Sequence, residues 1–186
     1  MVDVPVGTHS KRNNHRMDHM YDCGQRRHVI LNESEDLLVK YLVFRWDKYE
    51  KTARKMIAPN LSGAANTPNN LNAIGAEIGY CRLMNVYPNL WVWGDQGRPS
   101  GTVHDAVLPD GRTVNVKQSS RHGDDYDLIV PLHNYSRPDI YALMVGEFPE
   151  YYYMGYIEAD KIIQEHMINK KLPVPAYAYP RRELKL

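Results

Sequence analysis

The spacing of apolar positions changes twice along the chain, from a polar start, through a stretch at helical period, to a second half patterned as short strands. Residues 1 to about 30 are polar and carry His9, His15, His19 and His28 with Lys11, Arg12, Arg16, Arg26 and Arg27, which reads as an extended arm. From Asn32 the apolar residues Leu38, Leu42, Trp46 and Tyr49 share one helical face, and Asn32 with Glu35 three residues on forms a capping-box signature. A long amphipathic helix is predicted there. Pro59, Gly63 and the run 66–70 break it, after which Thr67 caps, and Pro68 opens, a second helix running to about Asn85. Two helices are therefore expected before any strand.

Beyond Trp91 the β-rich runs lie near 102–108, 113–118, 126–130, 140–145 and 151–157, and a helix is predicted over Glu158 to Asn169. Pro173, Pro175 and Pro180 make the remainder an extended tail. The fold class is α/β or α+β, a mixed β-sheet flanked by helices, with an arm and long helix in 1–66, a core in 67–170 and a tail in 171–186.

A chain of 186 residues suits one domain, and 43% hydrophobic with 24% charged residues excludes disordered, collagen-like and coiled-coil classes. No apolar run reaches the roughly 18 residues of a membrane span, and the start lacks the apolar core of a signal peptide, so a cytoplasmic protein is expected. Cys23 and Cys81 are expected as free thiols. A net charge of +1 argues against a basic footprint over the whole surface and leaves room for a local one.

Candidate chemistry begins with carboxylates on apolar faces. On the second helix Leu71, Ile74, Ile78, Cys81 and Met84 form one stripe, and Glu77 falls inside it. A buried carboxylate needs a cation, a metal or a proton; a helix rim from which it bends outward is the plainer alternative. Asp105 sits likewise among Val103 and Val107, on a strand whose hairpin partner carries Asn115 and Lys117 on the face opposite Val114 and Val116. The connection Leu108-Pro109-Asp110-Gly111-Arg112 suits a three-residue loop that sets Asp105 opposite Asn115 and Val103 opposite Lys117, whereas a two-residue Asp-Gly loop would separate them. Glu77, Asp105 and Asn115 together offer hard oxygen ligands suited to Mg²⁺ or Mn²⁺.

The order Glu77, then Asp105 and Asn115-x-Lys117 on a hairpin, resembles the PD-(D/E)XK nuclease superfamily, and the stretch from Pro138 to Ile162 looks like its phage-encoded members. The resemblance covers about residues 67–165 and implies a restriction-endonuclease-like core and a Mg²⁺- or Mn²⁺-dependent deoxyribonuclease. Such an enzyme hydrolyses DNA phosphodiesters by a metal-bound water. By that resemblance Glu77, Asp105, Asn115 and the carbonyl of Val116 hold the metal, and Lys117 positions the water. Gln118, Ser119, Ser120, Arg121 and His122 then lie near the substrate.

The departure is Asn115, where the superfamily has an acid. An amide oxygen binds Mg²⁺ without charge and cannot act as a base, so affinity and rate should both fall. Three readings fit: a natural variant that still cuts, a degenerate nuclease retained for nucleic-acid binding or assembly, or an engineered isosteric replacement of Asp.

Other features carry alternatives. His15, His19, Cys23 and His28 allow a zinc site, but their spacing favours a polar arm. His104 reads as a core-edge residue, and Asp124, Asp125 and Asp127 as a solvated turn. Tyr151, Tyr152, Tyr153 and Tyr156 either stack on bases or, as favoured, pack under a sheet. Tyr177, Tyr179, Arg181, Arg182 and Lys185 form a basic aromatic tail for nucleic acid or a neighbouring subunit, and a homodimer is compatible with the arm and first helix.

Overall fold

The computed structural model describes residues 27–57, 67–89, 104–120, 127–132 and 137–186. The first long helix, α1 (Glu33–Ile57), starts where the capping signature lies. Glu35 N–H donates to Asn32 Oδ1 at 3.0 Å and Asn32 N–H donates to Glu35 Oε2 at 2.7 Å, so two orphan amides are satisfied reciprocally. Helix α2 (Thr67–Met84) packs beside α1. Its Ile74, Ile78 and Cys81 are buried as the stripe requires, with Leu71 and Met84 packed at the margin.

Strands β1 (His28–Ile30), β2 (Ala106–Val107), β3 (Thr113–Ser119), β5 (Ile140–Glu147) and β6 (Glu150–Glu158) form one mixed sheet in the order β1-β6-β5-β3-β2, in which only β3 and β5 run parallel. A second sheet joins β4 (Asp127–Pro131), β8 (Ala176–Pro180) and β7 (Ile168–Asn169). Val114, Val116, Ala142 and Met144 face the helices, whereas Tyr141, Leu143 and Val145 meet Leu128 and Val130 of the second sheet. Strand β5 is thus buried on both faces, which explains its unbroken apolar run. The result is α+β, a mixed sheet between a helical layer and a smaller sheet.

Three expectations need correction. A strand precedes the helices: Val29 is buried opposite Tyr151 while His28 and Ile30 are exposed, a three-residue alternation too short to stand out from a polar arm. The helix expected over Glu158 to Asn169 is a single turn, α3 (Ala159–Ile162). Glu158 belongs to β6, Ile163 leaves helical geometry at φ −83° and ψ 69°, and Ile168 and Asn169 pair with β8 instead. The basic aromatic tail is not a loose extension: Tyr177 and Tyr179 pair with β4 and Arg181 is buried, while Arg182 stays exposed. Lys185 then exchanges backbone hydrogen bonds with Tyr156 at 2.7 and 2.9 Å, and its ammonium binds Glu158. Among the described residues no helix is long and apolar enough to cross a membrane.

Candidate functional site at the edge of the hairpin

The β2–β3 hairpin is set by its turn. Gly111, at φ 88°, takes the left-handed conformation that a residue with a Cβ rarely adopts. Gly111 N–H donates to Leu108 O at 2.9 Å and Leu108 N–H to Arg112 O at 2.8 Å, so Ala106 pairs with Val114 and Val107 with Thr113. That is the three-residue register, but it stops at Ala106, so the expected pairing of Asp105 with Asn115 does not form. The Arg112 backbone N–H, helped by the guanidinium, holds the exposed Asp110 carboxyl below the usual carboxylate range.

At Asp105 the regular ladder ends. Asp105 N–H donates to Val114 O at 2.7 Å although Ala106 already pairs with Val114, the two-against-one arrangement of a bulge. The Asp105 carboxylate accepts Val116 N–H at 2.7 Å, where a regular strand would offer its next carbonyl. Because N–H and C=O of one strand residue point to the same edge, the Val116 carbonyl faces that edge too. Outside β2, Asn89 N–H donates to Asp105 O at 2.8 Å, its amide donates to His104 O at 2.9 Å, and Pro88 bridges Ala106. The segment leaving α2 therefore covers β2 and fastens it.

Among the described residues the buried polar or charged side chains are Asp105, Asn115 and Arg181, two of them in this hairpin. Strand alternation turns Asn115 and Lys117 away from the helices, and Lys117 Nζ lies 5.7 Å from the Tyr141 ring centroid. Gln118 is committed to structure, donating to Gly146 O at 2.7 Å, and Ser119 pairs with Val145. Glu77 is half-buried on α2, on the Val114 and Val116 side of the sheet. One turn further, burial pushes the Cys81 thiol up to about 12, with the negative charges of Glu77 and Asp105 adding to the shift. Helix α2 packs against β3, which ties it to the hairpin. Glu77 and Lys117 nevertheless belong to opposite faces of β3, with Asp105 at the edge between them.

The donor set is chemically suited to a hard divalent ion, with two carboxylates, an amide oxygen and a carbonyl. Among the described residues no three His, Cys, Asp or Glu side chains are gathered as a ready ligand cluster. Arg121 and His122 lie outside the described residues, as do Val103, His15, His19, Cys23, Asp124 and Asp125. His28 is described: it stacks on Tyr152 at 4.5 Å and pairs with Glu150 at 2.9 Å. Sequence reasoning missed Asn89, whose only signal was its place directly after Pro88 at the end of a helix. It also missed that the Asp105 carboxylate would bind the backbone, which no residue pattern announces. No family model matches the chain, and no curated protein or solved structure matches it.

Proposed function

We propose that the chain is a nuclease-fold protein of the PD-(D/E)XK type that acts on DNA in the cytoplasm, the host's if phage-encoded, hydrolysing phosphodiesters with Mg²⁺ or Mn²⁺. The observation that carries this reading is the pair of buried polar side chains, Asp105 and Asn115, at the edge where β2 bulges away from β3. Burying such groups is costly unless they are hydrogen-bonded, as Asp105 is to the Val116 amide, and here they flank an outward-facing backbone carbonyl and a lysine. Asp105, Asn115 and the Val116 carbonyl would hold the ion, with Glu77, on the other face of β3, contributing through water. When bound, the ion polarises the scissile phosphate and lowers the pKa of a water. Lys117 supplies a positive charge for the phosphate, and Tyr141 beneath it limits where its ammonium can go.

Asn115 favours a second reading, a nuclease-fold protein that binds nucleic acid or an assembly partner without cutting, because an amide brings no charge to the ion. Mn²⁺-dependent cleavage of supercoiled DNA separates the two. The test compares the chain, its Asn115→Asp variant, and that variant with Lys117→Ala. Cleavage gained with Asn115→Asp and lost when Lys117→Ala is added supports the enzyme. Three inert proteins that still retain DNA support the binding module.

The proposal includes a homodimer through α1. Leu37, Tyr41 and Phe44 recur at helical spacing and are 55–64% exposed, a stripe turned away from the core. The first turn is acidic (Glu33, Glu35, Asp36) and Lys40 and Arg45 follow it, so a second copy laid antiparallel brings opposite charges together.

A further inference from the structure

A cavity of about 530 Å³ opens at the turn end of the hairpin, between α2 and the start of β5. Its walls include Arg27, Tyr80, Arg112, Tyr153, Tyr156 and the final residue, Leu186. Tyr80 and Tyr153, 1% and 5% exposed, form its buried floor with ring centroids 5.8 Å apart and planes tilted by 57°, and the half-buried Tyr156 offers the accessible ring. The Arg112 guanidinium lies 5.8 Å from the Tyr156 ring centroid while its Nε holds Asp110 at 2.8 Å, so the arginine is oriented before any ligand arrives. Arg27 also lines the cavity, and its guanidinium meets Leu83 O at 3.4 Å. Arg112 and Asn115 are three residues apart along the strand, about 10 Å, and none of the proposed metal ligands lines this cavity, so it is not the metal site.

We propose that this cavity binds a nucleotide, its base against the tyrosine walls and its phosphate between Arg27 and Arg112. Two guanidiniums at the rim of an aromatic cavity match a ligand that is planar at one end and anionic at the other. Its volume falls within the range of small-ligand sites, about 300–1,000 Å³. Aromatic walls accept any base, since every base has a π face. The same chemistry is offered by a free nucleoside monophosphate and by the phosphorylated terminal nucleotide of a strand. Only the second source connects the cavity to hydrolysis at the hairpin edge, and the binding itself does not depend on that reading.

The test is calorimetric titration of the full chain with deoxyadenosine 5′-monophosphate in EDTA, which removes any contribution from metal. Deoxyadenosine, inorganic phosphate and a 5′-phosphorylated tetranucleotide are titrated in parallel. Saturable binding of the nucleotide is expected, at least tenfold tighter than deoxyadenosine or phosphate alone. Arg112→Gln and Arg27→Gln should each weaken it tenfold or more with unchanged melting, whereas Lys117→Ala, added to Asn115→Asp, should leave it intact while removing the cleavage gained. A tetranucleotide that binds more tightly than the monophosphate assigns the cavity to strand ends, and one that binds no better assigns it to free nucleotides; both support the inferred chemistry. Absence of saturable nucleotide binding, or binding by both arginine variants as tight as by the unaltered chain, would overturn it. Nucleotide binding without cleavage by any variant would sink the nuclease reading alone.

Discussion

At the scale of single residues, Asp105 has two duties that substitution can separate. Its carboxylate satisfies the buried Val116 amide, so Asp105→Ala should cost about 1–3 kcal/mol by leaving that donor unpaired. Asp105→Asn retains an acceptor oxygen and should cost less in denaturant titration while still removing the charge offered to a metal. Equal losses for both variants would show that the carboxylate's charge, not its acceptor, holds the hairpin. Cys81 gives an independent reading of the same place. With its thiol pushed up to about 12 by burial beside Glu77 and Asp105, it should resist alkylation at pH 8 in the folded chain and react on unfolding, as peptide mapping by mass spectrometry would reveal. Rapid native labelling would place Cys81 in a different environment.

The carboxyl of Glu158 is held down to about 2, first by the Lys185 ammonium and then by Lys161. A folded pKa below the unfolded value stabilises above the unfolded pKa, near 4.5, and that contribution is lost as pH falls toward 2. The pair lies near the surface, so solvent screening keeps the effect small. Melting temperature should therefore fall less steeply with acid over that window in Lys185→Met than in the unaltered chain.

Among elements, the parts legible in the sequence are those whose causes are local. The start of α1 is written in Asn32 and Glu35, and the hairpin register in Pro109, Asp110 and Gly111, because each cap or turn is closed by neighbours in sequence. Residue pattern also marked Asp105 and Asn115 as polar groups on apolar strands, which is how both are found buried. The parts not legible depend on distant partners. β1 exists because β6 accepts it, and β8 because β4 does, some fifty residues earlier. The short α3 ends because β7 is drawn to the same β8. The bulge at Asp105 was hidden for a related reason, since Asn89 shares in fixing it from outside the hairpin.

Helix α2 offers a test of how tightly these layers meet. Ala is intrinsically better than Gly in a helix by about 1 kcal/mol. At Gly75 an added methyl would collide with the Tyr151 hydroxyl and the Phe148 ring, so Gly75→Ala should instead lose about 1–3 kcal/mol of stability. At Gly79 the nearest atom is a Val29 methyl at 3.1 Å, which can yield, so Gly79→Ala should sit well above Gly75→Ala in thermal melts. The reverse order would mean that α2 lies farther from β6 than described.

For the whole molecule, the second sheet buries the far face of β5 and ties the last residues of the chain to its middle, while the helices close the near face. Among the described residues the outer stripe of α1 stays exposed. Phe44→Glu should convert the proposed dimer to a monomer in light scattering without lowering the helical signal, whereas a monomeric unaltered chain at high concentration would remove the dimer. The central claim concerns the hairpin edge, and Mn²⁺ binding followed by calorimetry tests it most directly. The proposed site predicts at least tenfold tighter binding by Asn115→Asp than by the unaltered chain, and loss of that gain when Asp105→Asn is added. No Mn²⁺ binding by either protein, or binding indifferent to Asp105, would contradict a metal site built from these residues.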